Sequence, residues 1–395
     1  MTAGAGVLIV GGGLTAATVA RELRASGYGR AIHMLSDEPY LPYDRPPLSK
    51  QVLTGTLVPD DIALFKVGEL AELEIELTLA SPAVALDTNR QCVHTQAGST
   101  YNYDIVVIAT GAHPRISSTV RSLPGVYYLR SLQECLNLQA ALHQGSSVVI
   151  VGAGFIGLEV AAVARSWDCD VTVVERDMAP LSRVLGGGGG VVAALHEENG
   201  VDLRLSASVG DVVGEHHVEG IVIDGSVLPA DIVVIGIGAE PNTKWLHGSG
   251  VHIDDGVVCD AAGRTNIENV FAAGDVSRWR NATTGSHTRV EQWQTAVEQA
   301  AVTARVIASP DISHEWDAVP YFWSDQYGHK LQMCGSSGPD YHVFRTSRGE
   351  VVCFGRNEIL TGVFTVGNPR AVAQARRLIR SGASLSSARE WAEKL

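Results

Sequence analysis

An α/β architecture with two doubly wound units and a small α+β domain at the C-terminal end is predicted by three features of this 395-residue chain. A plan of apolar strand, glycine-rich turn, amphipathic helix and second apolar strand is written twice. The chain is too long for one ordinary hydrophobic core, which implies two or three domains and room to bury a large cofactor. Its last part, around KLQMCG, YHVFRT, EVVCFG and ILTGVFTV, alternates apolar and polar residues as a sheet with one covered face does. With 45% apolar and 18% charged residues the composition is that of a globular protein, and 42 glycines imply many tight backbone turns.

In the first copy VLIV (Val7 to Val10) leads into Gly11-Gly12-Gly13-Leu14-Thr15-Ala16, helical composition runs from Ala17 to Ser26, and IHMLS ends beside Asp37. In the second, VVIV (Val148 to Val151) leads into Gly152-Ala153-Gly154-Phe155-Ile156-Gly157, a helix is expected to about Ser166, and VTVV ends at Glu175. Each is a Rossmann-like mononucleotide unit. The first glycine permits the turn, the second lets backbone approach a pyrophosphate, and the third, for which Ala16 substitutes in the first copy, lets helix and strand pack closely. The pyrophosphate would lie over unpaired amides at the positive end of the helix dipole, and the acid after the second strand would accept hydrogen bonds from ribose hydroxyls. Two such units imply two dinucleotides, a flavin and a nicotinamide. Glu175 would repel a 2′-phosphate and favours NADH, whereas the nearby Arg176 and Arg183 are residues that would welcome one. In the first copy Ser36 stands where Glu175 stands in the second, with Asp37 and Glu38 just after it.

Several classes are disfavoured. No apolar run is long enough to span a bilayer, and no basic segment with a cleavable apolar stretch opens the chain, so a cytoplasmic protein whose mature chain begins at the fold is expected. The six cysteines, at 92, 135, 169, 259, 334 and 353, show no C-x-x-C spacing and no neighbouring histidine cluster. Reduced thiols, buried or on the surface, are expected rather than a redox dithiol, zinc or iron–sulfur site. A net charge of −13 argues against nucleic acid. The charge is uneven: residues 318–395 carry +4 and residues 1–317 carry −17, which suggests an acidic partner for the C-terminal domain.

After Glu38 the chain reads Pro39-Tyr40-Leu41-Pro42-Tyr43-Asp44-Arg45-Pro46-Pro47-Leu48-Ser49-Lys50. Further on come Ala109-Thr110-Gly111, Leu158-Glu159-Val160 behind the second fingerprint, GIGAEPN at 236–242, FAAGDVS at 271–277 and YFWSDQY at 321–327. In this combination the chain resembles, over nearly its whole length, the FAD-dependent NADH:ferredoxin reductases of Rieske dioxygenase and cytochrome P450 systems. That resemblance implies a glutathione reductase-like fold. Its FAD-binding domain would be split into residues 1–111 and 238–317, with an inserted NAD-binding domain at 112–237 and an interface domain at 318–395.

The resemblance also implies roles for residues. Gly11, Gly13, Leu14, Thr15, Ala16, Asp37, Arg45, Val84, Ala109, Thr110, Gly111, Arg130, Gly274 and Asp275 are expected to be cofactor-binding, with Asp275 on the ribityl chain near the pyrophosphate. A helix from Arg289 to Ala301 would place Gln292 and Trp293 beside the flavin ring. Gly152, Gly154, Phe155, Ile156, Gly157, Glu175, Arg176, Arg183, Gly236 and Gly238 are expected at the second nucleotide. Lys50 would contact the flavin, where a positive charge stabilises the reduced ring, and Glu159 would stand near the nicotinamide; an isolated glutamate on a helix would otherwise read as a surface charge. Trp323 would lie between flavin and partner, with Arg376, Arg377 and Arg380 clustered on a helix from about Pro369 to Arg380.

By the same resemblance a hydride passes from NADH to the flavin without a side-chain acid or base, and electrons leave singly to a [2Fe-2S] ferredoxin. The protein is expected to be a monomer or weak homodimer. One departure from the family pattern is the five-glycine run at 186–190, where a flexible loop is expected because glycine weakens helices. The rival readings are a disulfide reductase or NADH peroxidase, which would need a reactive cysteine near the first fingerprint, a rubredoxin reductase, and a signalling flavoprotein resembling apoptosis-inducing factor.

Overall fold

The computed structural model describes residues 6–282, 285–317 and 319–395. Ala318, at which the C-terminal domain is expected to begin, and residues 1–5 lie outside the described residues. The chain divides into two compact units. One holds the described residues up to Arg45, Pro59–His113, and those from Ala239 to Asp317; the other holds Pro46–Val58, Pro114–Gly238 and Val319–Leu395.

The first unit is built on a five-stranded parallel sheet in the order Val270–Ala272, Ile105–Ile108, Val7–Val10, Ile32–Leu35, Ile75–Thr78. Val7–Val10, Ile105–Ile108 and Val270–Ala272 are continuous apolar runs, as strands covered on both faces require. The turn after Val10 can be made only by glycine. Gly11 has φ +140°, and a Cβ there would lie 2.2 Å from the Ala109 carbonyl oxygen. The helix that follows, Leu14–Ala25, packs on the helix Trp293–Ala308 through Ala16, Ala17 and Ala20 against Ala300 and Ala304, small residues that permit close approach. This second helix starts later than the sequence suggests. Gln292 is extended (φ −130°, ψ 138°), so the helix begins at Trp293, and upstream of it the Arg289 guanidinium pairs with Asp255 and Glu291. A smaller antiparallel sheet pairs Ala83–Asp87, Cys92–Thr95 and Thr100–Asn102.

The second unit repeats the parallel plan, in the order Asp202–Arg204, Asp170–Val174, Ser147–Val151, Ile232–Ile235, Val126–Tyr127. The helix Phe155–Ser166 follows its glycine turn and buries eight consecutive residues, Gly157 to Ala164. The same unit carries an antiparallel five-stranded sheet in the order Tyr321–Gln326, His329–Gly335, Ile359–Val366, Gly349–Arg356, Asp340–Thr346. Two helices, Pro369–Arg380 and Leu385–Ala392, contribute Ala371, Ala375, Leu385 and Ala388 to a core shared with Val351, Cys353, Leu360 and Val363. Pro369 opens its helix where a missing N–H is harmless.

The glycine run departs from expectation. Gly186–Gly189 forms a 3-10 turn and Gly190 begins the helix Gly190–Glu198. The reason is space rather than mobility: a Cβ on Gly187 would meet the Tyr341 ring at 2.8 Å, one on Gly188 the Phe354 ring at 2.7 Å, and one on Gly189 the Pro180 carbonyl oxygen at 2.1 Å. Neighbours distant in sequence thus select glycine here. Among the described residues no helix is long and apolar enough to cross a membrane.

Candidate functional site

In the first unit, Gly13 caps the helix Leu14–Ala25 without a side-chain hydrogen bond, and no atom within 4 Å would obstruct a Cβ placed on it. The first-turn amides at Leu14, Thr15 and Ala16 stand at the positive end of this helix, an arrangement suited to pyrophosphate. The strand Val270–Ala272 delivers Gly274 against this end; a Cβ on Gly274 would lie 2.2 Å from Thr15 Oγ1, so backbone and helix meet directly. The Gly274 amide donates to Gln299 Oε1 at 3.0 Å, and Asp275 follows, half-buried, in the turn Gly274–Val276. Thr110 Oγ1 donates to the Asn242 carbonyl at 2.9 Å and Asn242 Nδ2 returns a hydrogen bond to the Thr110 carbonyl at 2.8 Å, fixing Ala109-Thr110-Gly111.

Further residues of the unit differ in surroundings. Asp37 is exposed, whereas Glu38 accepts from Arg45 at 2.7 Å and from the Tyr43 hydroxyl at 2.5 Å. Trp293 Nε1 donates to Asp44 Oδ1 at 2.8 Å. Gln292 Oε1 is buried with no hydrogen-bond partner among the described residues, an acceptor that an N–H of a bound ring would satisfy. Val84 is half exposed on the small antiparallel sheet. The uncapped helix end, the direct approach of Gly274 and the orphaned Gln292 acceptor together fit a flavin dinucleotide.

In the second unit Gly152 has φ +103°, and a Cβ there would lie 2.4 Å from the Gly236 carbonyl oxygen. Gly154 caps the helix Phe155–Ser166, again with no side-chain hydrogen bond, leaving the amides of Phe155, Ile156 and Gly157 available. Glu175 folds back on this turn: one oxygen accepts from the Ala153 amide at 2.7 Å, the other from the Asp177 amide at 3.0 Å. Arg176 is mostly exposed beside Asp177, and Arg183 is exposed with its Nη1 3.7 Å from where a Gly238 Cβ would stand. Arg130 lies at the start of the helix Leu132–Ala141, its amide bound to Glu134 Oε2 at 2.9 Å. The open helix end and the inward carboxylate fit a nicotinamide dinucleotide.

The same unit holds a buried ion pair. Glu159, 5% exposed, lies on the covered face of the fingerprint helix rather than on its surface, and Lys50 Nζ is 2.7 Å from its Oε2. Ser49 also donates to Oε2, and Ser324 Oγ donates to Oε1 at 2.6 Å. The carboxylate thus has three donors, which meets the condition for keeping charge inside a protein. A cleft of about 410 Å³ beside the pair is lined by Lys50, Glu159, Arg165, Asn199, Asp325 and Tyr327, among others. Lys50 and Glu159, expected at the cofactors, are brought together here, and Ser49, Ser324, Gln326, His196 and Tyr327 join them without having been anticipated. The available signal was the alternation in YFWSDQY, where the buried positions Ser324 and Gln326 are polar.

Elsewhere in the unit, Trp323 stacks on Tyr321 with centroids 6.2 Å apart, and the Arg376 guanidinium lies 5.4 Å above the Tyr321 ring. Arg377 and Arg380 are exposed, so the three arginines do not share one environment. All six cysteines of the chain are free and buried, and burial pushes every thiol up, to about 12 for Cys135 and Cys353. In the first unit Cys92 Sγ lies 3.6 Å from His94 Nε2, with Asp87 close by.

With this geometry in place, comparison with known proteins gives a consistent result. Residues 5–300 match the family described as pyridine nucleotide-disulphide oxidoreductase, and residues 321–393 match the reductase C-terminal domain. The chain belongs to the pyridine nucleotide-disulphide oxidoreductase family, and it is an oxidoreductase that uses FAD and NAD(H). It is 37% identical to rhodocoxin reductase of Rhodococcus erythropolis over 94% of this chain and 89% of that one. It is 35% identical to the ferredoxin–NAD(+) reductase subunit of the benzene 1,2-dioxygenase system of Pseudomonas putida, over 95% and 92%. Among solved structures, the covalent putidaredoxin reductase–putidaredoxin complex matches with a TM-score of 0.91 at 30% identity, covering 95% of this chain and 93% of that one.

Proposed function

We propose that the protein is an NADH:ferredoxin oxidoreductase that passes electrons through FAD, one at a time, to a [2Fe-2S] ferredoxin serving an oxygenase. The observation that carries this reading is the state of the cysteines. A disulfide reductase of the same family needs a reactive dithiol to take electrons from its flavin, and here all six thiols are buried, unpaired and held protonated by burial. The electrons must therefore leave to an external acceptor. Relatives at 35% and 37% identity are named as a ferredoxin–NAD(+) reductase subunit and a rhodocoxin reductase, which supports an iron–sulfur partner.

In this reading residues 1–111 and 238–317 form the FAD-binding domain and 112–237 the NAD-binding domain. The amides behind Gly13 hold the flavin pyrophosphate, Asp275 its ribityl chain, and Gln292 accepts from the ring. The amides behind Gly154 hold the NADH pyrophosphate and Glu175 its ribose. When bound, the flavin accepts the hydride of NADH as an electron pair and releases its electrons singly. Lys50 supplies positive charge that favours the reduced form, and Glu159 holds Lys50 in place. The domain 318–395 presents Trp323, Arg376, Arg377 and Arg380 to an acidic ferredoxin, an attraction that salt weakens.

The test is stopped-flow reduction of the holoprotein by NADH, followed by cytochrome c reduction with a ferredoxin or a rubredoxin as carrier. Rapid bleaching of the flavin and turnover with the ferredoxin support the proposal. Bleaching with turnover only through rubredoxin reassigns the acceptor, and slow turnover with every carrier favours a signalling role.

A further inference from the structure

Glu159 ends a chain of side chains that nothing in the proposed chemistry requires and whose hydrogens can run in only one direction. As the partner of Lys50 its carboxylate is ionised and can only accept, so Ser324 Oγ donates to Oε1 across 2.6 Å. Ser324 Oγ is then an acceptor for its other neighbour, Gln326 Nε2, at 2.9 Å. This turns Gln326 Oε1 toward His196 Nε2 at 2.8 Å, and because an amide oxygen only accepts, Nε2 must carry the imidazole proton. The neutral ring leaves Nδ1 as an acceptor for the Tyr327 hydroxyl at 3.0 Å. His196 is 0% exposed, Gln326 1% and Ser324 0%. Burial also holds the His196 ring below its usual protonation range, in keeping with the neutral tautomer.

The chain has a mechanical consequence. Ser49 and Lys50 both engage Oε2 of Glu159, while Ser324 engages Oε1 and fixes the rotation of the carboxylate plane. Ser324 is in turn oriented by Gln326, which is oriented by His196 on the helix Gly190–Glu198. Aligned hydrogen bonds of this kind polarise one another and act as a unit.

We infer that Ser324, Gln326, His196 and Tyr327 are positioning residues for hydride transfer, acting through Glu159 to hold the Lys50 ammonium in its working place. The inference rests on the proposed NADH:flavin chemistry. The four residues touch neither nucleotide in this role; they determine where the ion pair stands.

The experiment compares holoprotein variants. His196→Leu keeps bulk and removes both polar ends, whereas His196→Gln can donate to Gln326 and accept from Tyr327, restoring the direction of the chain. In stopped-flow reduction by NADH, His196→Leu is expected to lower the limiting rate about tenfold with little change in apparent NADH affinity, and His196→Gln to recover most of the loss. Oxidation of photochemically reduced flavin by ferredoxin should be unchanged in both. Tyr327→Phe, which loses one hydroxyl and keeps the ring, should show the same split at about threefold and serves if His196→Leu does not fold. Long-range proton–nitrogen spectra of the histidine-labelled protein should show a neutral ring protonated at Nε2.

Equal reduction rates in wild type and Tyr327→Phe, equal losses in the leucine and glutamine variants, or an Nδ1-protonated ring would each overturn the inference. Wild-type protein that binds flavin but is not reduced by NADH overturns the parent reading, and the inference with it; wild-type reduction with unaffected variants overturns the inference alone.

Discussion

The carboxylate of Glu175 accepts a hydrogen bond from the backbone amide of Ala153, 2.7 Å away, in the middle of the second glycine turn. The charge proposed to meet the ribose is thus locked to the loop proposed to meet the pyrophosphate. Glu175→Gln keeps the shape and removes the charge, and is expected to lower catalytic efficiency with NADH about tenfold, the scale of one charge-assisted hydrogen bond. Efficiency with NADPH should fall less, narrowing the preference. Steady-state kinetics with both nucleotides checks this, and an unchanged ratio removes Glu175 from the ribose site.

The Lys50–Glu159 pair sits in a nearly closed environment, with side chains 12% and 6% exposed. Removing one partner strands the other charge. Lys50→Met or Glu159→Gln is expected to destabilise the holoprotein by about 3–5 kcal/mol, and the double variant by less than the sum of the two. Chemical denaturation of the four proteins gives the coupling energy; strict additivity would show that the charges do not sense each other.

On the proposed ferredoxin face the arginines differ in their surroundings. Arg376 is committed to the Tyr321 ring, while Arg377 and Arg380 are exposed. The double variant Arg377→Glu/Arg380→Glu is expected to raise the ferredoxin KM about tenfold at low ionic strength, with the difference shrinking in high salt, and to leave ferricyanide reduction by NADH unchanged. Equal loss in both assays would mean that the domain had been damaged instead.

Two glycines of one run should respond oppositely to alanine. Gly188 has the Phe354 ring where a Cβ would go, and overpacking of this kind is expected to cost about 1–3 kcal/mol. Gly190 has nothing within 4 Å and a helical φ of −57°, so Gly190→Ala is expected to stabilise by about 0.4–1 kcal/mol. Thermal or denaturant unfolding distinguishes these; matching shifts in both variants would return the run to an unstructured loop.

The thiols provide an independent check on the redox assignment. Six buried groups that burial keeps protonated should be inert to a thiolate-selective disulfide reagent at neutral pH, and all six should react once the protein is unfolded. One or more thiols reacting quickly in the native state would reopen the disulfide-reductase reading.

What the sequence made legible was what is local. Both strand–glycine–helix units follow from a few adjacent residues, the second helix ends at Ser166 as its composition suggests, and Pro369–Arg380 is a helix over the expected span. The parts that were not legible depend on distant partners. The glycine run looked like a loop because its reasons, the rings of Tyr341 and Phe354, lie far along the chain. His196 meets Gln326 across 130 residues, and while the alternation in YFWSDQY marks Gln326 as a buried polar residue, nothing local to His196 ties it to the Glu159 network. The helix containing Trp293 looked longer at its start because Arg289-Val290-Glu291-Gln292 has helical composition, whereas Gln292 is extended and Arg289 pairs with Asp255, a partner far back in the chain.

The strand Val270–Ala272 pairs with Ile105–Ile108 at the border of the first parallel sheet, although more than 160 residues lie between them. During synthesis the ribosome must therefore release the whole second glycine unit before that border is sealed. Until then the apolar run Ile105–Ile108 offers one row of unpaired amides and carbonyls to any neighbouring chain. Fragments ending before Val270 should accordingly associate rather than fold, and rapid expression at high temperature should favour inclusion bodies over yellow, soluble protein.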